Sequence, residues 1–131
     1  MTFDLDRLDD DVLAFLREYH LATLTTIRSD GTAQVTPVGV TFEPETKTAR
    51  VITWATSVKA RNVARDPGQR VAVCQVDGGR WLTLYGNAVV TDEPERVAEG
   101  VRRYAERYRQ PKERDDRVVI EISVDSMVGR A

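Results

Sequence analysis

The sequence predicts a single mainly β domain over residues 1–131, a six-stranded antiparallel β-barrel with peripheral helices. Three observations carry this. Short runs of β-branched and aromatic residues alternate with turn sequences such as Asp30-Gly31, Glu43-Pro44-Glu45-Thr46-Lys47 and Asp77-Gly78-Gly79-Arg80. Tight turns between strands make neighbours antiparallel. Only two longer stretches carry the three- and four-residue apolar spacing of a helix packed on one face. A sheet of this size must also hide its edge groups, and closing on itself does so. The length, 131 residues, suits one real core.

In chain order, Asp9, Asp10 and Asp11 open a helix, their charges matching its positive end. Leu5, Leu8, Val12, Phe15, Leu16 and Tyr19 would form its buried face. Leu21 to Ile27 is a strand, and Asp30-Gly31 turns the chain into a second strand from Thr32 to Phe42. Pro37 cannot donate a ladder hydrogen bond and Gly39 leaves the backbone bare. That strand is therefore an edge or bulge, either unliganded or open to something flat against its main chain. Ala49 to Trp54, Val71 to Val76 and Trp81 to Val90 follow as strands, with Gly86 marking a bulge. Thr91-Asp92-Glu93-Pro94 starts a long helix with Val97, Val101, Tyr104, Ala105 and Tyr108 inward and interleaved Arg and Glu outward. Val118, Ile120, Ile122 and Val124 share one face of the closing strand, and Asp125 to Ala131 is expected as a surface tail.

The chain is organised around Val51–Asn62. Val51 to Trp54 ends a strand, Thr56 or Ser57 supplies a capping hydroxyl, and the helix from Val58 to Arg65 stops at Asp66-Pro67-Gly68. Free first-turn amides, the helix dipole, Lys59 and Arg61 together favour an anion. A plain connecting helix with solvated cations would carry the same pattern. Lysine usage bears on the choice. Of nineteen basic residues only Lys47, Lys59 and Lys112 are lysine. Lys59 alone sits at a helix start, where a compact point charge suits a phosphate oxygen.

Composition removes other classes. A formal net charge of −2 gives no electrostatic case for nucleic acid. Cys74 is the single cysteine and lies in an apolar run, as a small core residue would. His20 is the single histidine, so zinc sites needing two imidazoles are excluded and a Ser-His-Asp triad is poorly supported. No metal ligand set and no catalytic acid–base pair is expected. The N-terminus is acidic without an apolar signal segment, and no run approaches a membrane span. The expectation is a soluble cytoplasmic protein.

With these residues placed, the sequence resembles the split β-barrel flavin and deazaflavin oxidoreductases, the group that includes pyridoxamine 5'-phosphate oxidase. The likeness rests on Leu21–Ile27 with Asp30-Gly31, Gln34–Val38, Ser57-x-Lys59-x-x-Asn62 with Asp66-Pro67, and Arg80-Trp81 before Gly86. It is nearest the small enzymes that use the deazaflavin coenzyme F420, and within them the biliverdin reductase-like subgroup. The resemblance implies an FMN-binding type split barrel. It implies that Ser57, Lys59, Arg61 and Asn62 hold the cofactor phosphate and the start of its acidic tail. Thr53 would lie beside the ring, and Gln34, Thr36, Pro37 and Val38 would form the wall it stacks on. Trp81 would close the pocket from the other subunit of a homodimer, with cofactor sites at the subunit interface. FMN-binding members carry an arginine-rich strand and a Leu-Lys pair at the phosphate, where this chain has Trp54-Ala55-Thr56-Ser57.

The implied activity is hydride transfer from reduced F420 to a small organic acceptor, such as a biliverdin-like tetrapyrrole. Two alternatives are an FMN-dependent oxidase-like enzyme and a non-enzymatic flavin or haem carrier, for which His20 is the only imidazole available to iron.

Overall fold

The computed structural model describes all residues from Met1 to Ala131. Ten elements follow one another: α1 (Asp10–Phe15), β1 (Ala22–Ile27), β2 (Ala33–Val38), β3 (Thr41–Glu43), β4 (Thr48–Trp54), α2 (Val58–Arg65), β5 (Gln69–Asp77), β6 (Arg80–Thr91), α3 (Pro94–Arg107) and β7 (Arg117–Arg130). The strands form one antiparallel sheet in the order β2-β1-β5-β6-β7-β4-β3. Seven strands are present rather than six, because the single strand expected from Thr32 to Phe42 breaks after Val38. Gly39 and Val40 carry the chain from one sheet edge, β2, to the other, β3.

Inward-facing residues of β1, β2, β4, β5, β6 and β7 meet in one core that includes Leu24, Val51, Val73, Leu84, Ile120 and Ile122. Residues so far apart in the sheet share a core only because the sheet curls onto itself. Phe15, Leu16 and Val12 plug one end from α1. Each such large side chain contributes about 1.5–3 kcal/mol by leaving water. The first helix is shorter than its apolar spacing implied. Leu5 and Leu8 pack on the core from an irregular segment, and Tyr19 lies 63% exposed beyond the helix end.

Strand β7 is the spine, pairing with β4 through its first half and with β6 along most of its length. Its register on β6 shifts between Tyr85 and Gly86, which face Ser126 and Val124 respectively. Asp125 is thus the extra residue of a bulge, and its carboxylate pairs with Arg70 at 2.5 Å. The bulge expected at Gly86 is present. Residues 125–131, expected as a surface tail, instead run in the sheet to Arg130, with Met127 fully buried.

Helix α3 lies on the outer face of β4 and β7. Gly100 lets it approach, since a Cβ there would stand 2.9 Å from Val119 and 3.0 Å from Ile52. Its C-terminal end is fastened by Arg107, which donates to the carbonyls of Glu18 and Val40 and to Gln75 Oε1. Tyr108 donates its hydroxyl to the His20 carbonyl at 2.7 Å and accepts from the Val40 amide at 3.1 Å. Arg103, expected among solvated cations, is half-buried and pairs with Glu99 and Glu43. No helix is long and apolar enough to cross a membrane.

Candidate functional site

The site grows from the end of β4. Strand residues Thr53 and Trp54 run into a turn closed by the Ser57 amide donating to the Trp54 carbonyl at 3.0 Å. Ser57, not Thr56, caps α2: its backbone is extended and its Oγ accepts from the Ala60 amide at 3.3 Å. Thr53 Oγ1 donates to the same Ser57 Oγ at 3.0 Å, locking strand end to helix start. With the third-position amide held by Ser57, the amides of the first two helical residues have no partner inside the helix. Lys59 is the second of these residues.

Lys59 is half-buried, and no carboxylate lies within ion-pairing distance of it. Its Nζ stands 5.1 Å from the centre of the Trp54 ring, a cation–π contact. Burial lowers its pKa below the ordinary lysine value. An ammonium held half out of water without a counter-ion is a ready partner for an anion, which would recover the lost hydration.

Lys59 lines an open cleft of about 350 Å³ at the seam of the barrel, between the end of β2 and the end of β4. Thr36, Pro37, Val38 and Thr53 share that lining, so five of the ten residues singled out from the sequence meet in one place. Gly39, Ile52, Trp54, Tyr104, Pro111 and Arg117 complete it, and no aspartate, glutamate or histidine is among the lining residues.

The other five are placed differently. Ser57 is 5% exposed and stands behind the helix start it caps. Asn62 is buried, with its amide donating to Thr26 Oγ1 at 3.0 Å and its Oδ1 accepting from Arg65 at 3.2 Å. Gln34 joins the same network, accepting from Thr26 Oγ1 at 3.1 Å. Asn62 and Gln34 therefore bind α2 to the β1–β2 hairpin. Arg61 is exposed, and two residues from Lys59 it lies on a different side of the helix.

Trp81 is remote within one chain. It pairs with Arg130 at one end of β7, whereas Thr53 pairs with Val118 at the other. Those positions are twelve residues apart, roughly 40 Å along the strand.

Gly39 resolves one expectation. A flat group does lie against its bare backbone, but it belongs to the chain itself: a Cβ there would stand 2.6 Å from the Tyr104 ring and 3.0 Å from Tyr108. His20 is not in the cleft. Its Nε2 bonds Glu18 at 2.9 Å, its ring packs against Phe15, and Arg80 bridges Glu18 and Asp77 beside it. Those bonds hold the Glu18 carboxyl down at about 2. Nothing in this arrangement offers an imidazole to iron in the cleft.

Trp54, Tyr104, Pro111 and Arg117 were not legible as site residues. Arg117 stands just before the alternating stretch that begins at Val118, and only its register position opposite Trp54 brings it to the cleft.

The structure is thus a curled antiparallel sheet with an acid-free cleft at its seam, lined by the cations Lys59 and Arg117. The chain belongs to the pyridoxamine 5'-phosphate oxidase family, whose model matches residues 8–129. It is 48% identical over 125 residues to the F420H(2)-dependent biliverdin reductase of Mycobacterium tuberculosis (strain CDC 1551 / Oshkosh), covering 95% of this chain and 90% of that protein. Among solved structures it is similar to the conserved hypothetical protein Rv2991 of Mycobacterium tuberculosis, with TM-score 0.78, 24% identity, and 95% and 84% of the two chains covered. An F420 reductase gives TM-score 0.74 at 22% identity over 92% and 98% of the chains. HutZ, the haem storage protein of Vibrio cholerae, gives 0.75 at 15% identity over 95% of each. The three structures share the fold.

Proposed function

We propose that this protein is an F420-dependent reductase that passes hydride from the reduced deazaflavin to a biliverdin-type tetrapyrrole. The observation that carries the reading is Lys59, a half-buried cation without a counter-ion at a capped helix start in an acid-free cleft. The 48% identical reductase supports the choice of cofactor and acceptor.

In this reading Lys59 and the free amides at the start of α2 hold the cofactor phosphate, and Ser57 keeps that helix start in place. Arg61, exposed two residues further on and on another side of the helix, meets the acidic tail beyond the cleft. Thr53 lies beside the ring, with Thr36, Pro37 and Val38 as its wall. Gln34 and Asn62 brace this wall against α2 through Thr26. When bound, F420 supplies the hydride chemistry. The chain supplies orientation and effective molarity and keeps water away from the reacting carbon. A lining without carboxylate or imidazole suits that division of labour.

The direct test is titration of purified protein with F420, FMN and haem, followed by addition of biliverdin to the complex with reduced F420. F420 should bind most tightly, and its reduced form should be consumed as biliverdin is added. Tighter binding of FMN or haem, or no consumption, overturns the assignment.

The same reading makes the protein a homodimer. Helix α3 packs on the outer face of β4 and β7, whereas that of β2, β1, β5 and β6 carries exposed apolar side chains. Val35, Val76, Trp81 and Tyr85 lie there, each at least 38% exposed. Val35, Thr25, Ala72 and Tyr85 form one register row, and Val76 pairs with Trp81. A second copy on this face would bring its own Trp81 towards the first copy's cleft. Stable dimers bury more than about 1,200 Å² in total. Light scattering should give twice the chain mass at micromolar concentration. Val76→Glu should yield a folded monomer with weakened F420 binding, and an unchanged mass for that variant would place the interface elsewhere.

A further inference from the structure

The cleft holds two cations, and the second has no role in the site described so far. Arg117, the first residue of β7, lies opposite Trp54 in the sheet and lines the same cleft as Lys59. It is half-buried, and its one hydrogen bond goes to the Lys112 carbonyl. No carboxylate pairs with it. Most half-buried arginines here are neutralised: Arg50 and Arg103 share Glu43, and Arg96 takes Glu121. Arg107, the other half-buried arginine without a carboxylate, donates to three neutral acceptors, one from each of its nitrogens.

Burial works against the charge at Arg117. Arg114 stands 4.9 Å from the centre of the Trp54 ring and is near enough to repel Arg117, an effect that Asp116 opposes. Asp116 answers Arg114 at 2.9 Å. Trp54 thus carries a cation–π contact from Lys59 at 5.1 Å and another from Arg114. A guanidinium that is partly desolvated, repelled by a neighbour and unpaired is costly unless an anion joins it, and its planar fork suits a carboxylate.

We propose that Arg117 is a specificity-determining residue that binds a carboxylate of the acceptor, so that the protein selects acceptors bearing carboxylates over otherwise similar neutral ones. This rests on the assignment of the cleft to a reductase. Lys59, at the start of α2, takes the cofactor phosphate. Arg117, on a different element of the same lining, takes the acceptor. Tyr104 and Pro111 supply apolar surface beside it for the rest of that molecule. A carboxylate at Arg117 could also come from the acidic tail of the cofactor, and the test separates the two sources.

The probes are biliverdin, which carries two propionates, and its dimethyl ester, which carries none. Each is titrated against the F420-bound wild type, Arg117→Ala and Arg117→Lys, and each is also assayed for turnover with reduced F420. Arg117→Ala should raise the Kd and KM for biliverdin at least about tenfold, the range for one lost charge-assisted contact. It should leave those for the diester and the Kd for F420 within about twofold of the parent. Arg117→Lys should recover part of the biliverdin affinity, and its thermal stability shows whether the alanine variant fails for structural reasons. Equal weakening of biliverdin and diester, or loss of F420 binding alone, overturns the proposal. So does an unchanged biliverdin Kd with turnover intact, which would leave the reductase assignment standing. Selective loss of biliverdin binding in a protein without turnover would instead support the Arg117 subsite and refute the reductase. If wild type binds neither probe, the carboxylated-tetrapyrrole acceptor and the Arg117 role fall together.

Discussion

Lys59→Ala is expected to weaken F420 binding roughly ten- to a hundredfold, the loss of one charge-assisted contact of about 1.5–3 kcal/mol. Fold stability should change by no more than about 0.5 kcal/mol, because Lys59 has no carboxylate partner to strand. The interaction also has a pH signature. Only the protonated amine attracts the phosphate, and burial lowers the pKa of that amine in the free protein. Affinity should therefore hold at neutral pH and fall as pH rises, starting below the range where an ordinary lysine titrates. Lys59→Arg should keep its charge across that range and flatten the profile. Arg102→Ala, on the exposed side of α3 where Arg102 pairs only with Glu99 and Glu106, serves as the control and should bind as the parent does. Fluorescence titration of each variant from pH 7 to 10 reads both effects. An alanine variant that binds with parental affinity would move the anion site away from α2.

Gly86→Ala should damage the fold severely for a single added methyl group. A Cβ at this position would stand 2.2 Å from the Ser123 carbonyl oxygen and 2.8 Å from Ile122 Cγ2. The first contact is with the backbone of β7, which cannot rotate away, and β7 is also the strand that carries β4. The expected cost is about 3 kcal/mol or more, at or beyond the upper end for overpacking. Total stability is about 5–15 kcal/mol for an ordinary domain. Gly31→Ala separates this from a general intolerance of glycine replacement. Gly31 has φ +85° in the β1–β2 turn, with nothing within 4 Å of an added Cβ. Only backbone strain is added there, at a cost of about 1 kcal/mol. Urea unfolding of both variants checks the ranking. A Gly86→Ala loss no larger than that of Gly31→Ala would mean that β6 and β7 separate freely at the bulge.

Much of the fold was legible because it is written in local alternation and turn chemistry. Val118, Ile120, Ile122 and Val124 were placed on one face and are all buried. Gly86 was read as marking a bulge, and the bulge lies opposite it, its extra residue being Asp125 of β7. That same bulge hid the end of the chain. The extra residue Asp125 inverts the inward–outward alternation, so the pattern from Val118 breaks off although the strand continues to Arg130. The first helix was overextended because Leu5 and Leu8 reach the core without being helical.

The site divides along the same line. The sequence by itself determined the helix start, since a capping hydroxyl, free amides and a lone lysine lie within three residues of one another. It also determined the β2 stretch Thr36–Val38, whose proline marks an edge. Only the tertiary structure decided what surrounds them. Strand pairing sets Trp54 against Arg117 across more than sixty positions of sequence, and the packing of α3 brings Tyr104 onto Gly39. It committed Asn62 and Gln34 to Thr26, and it carried Trp81 to the far end of β7. The physical reason is that period and capping depend on neighbours in sequence, whereas the company a side chain keeps in a cleft depends on register and curl over the whole sheet.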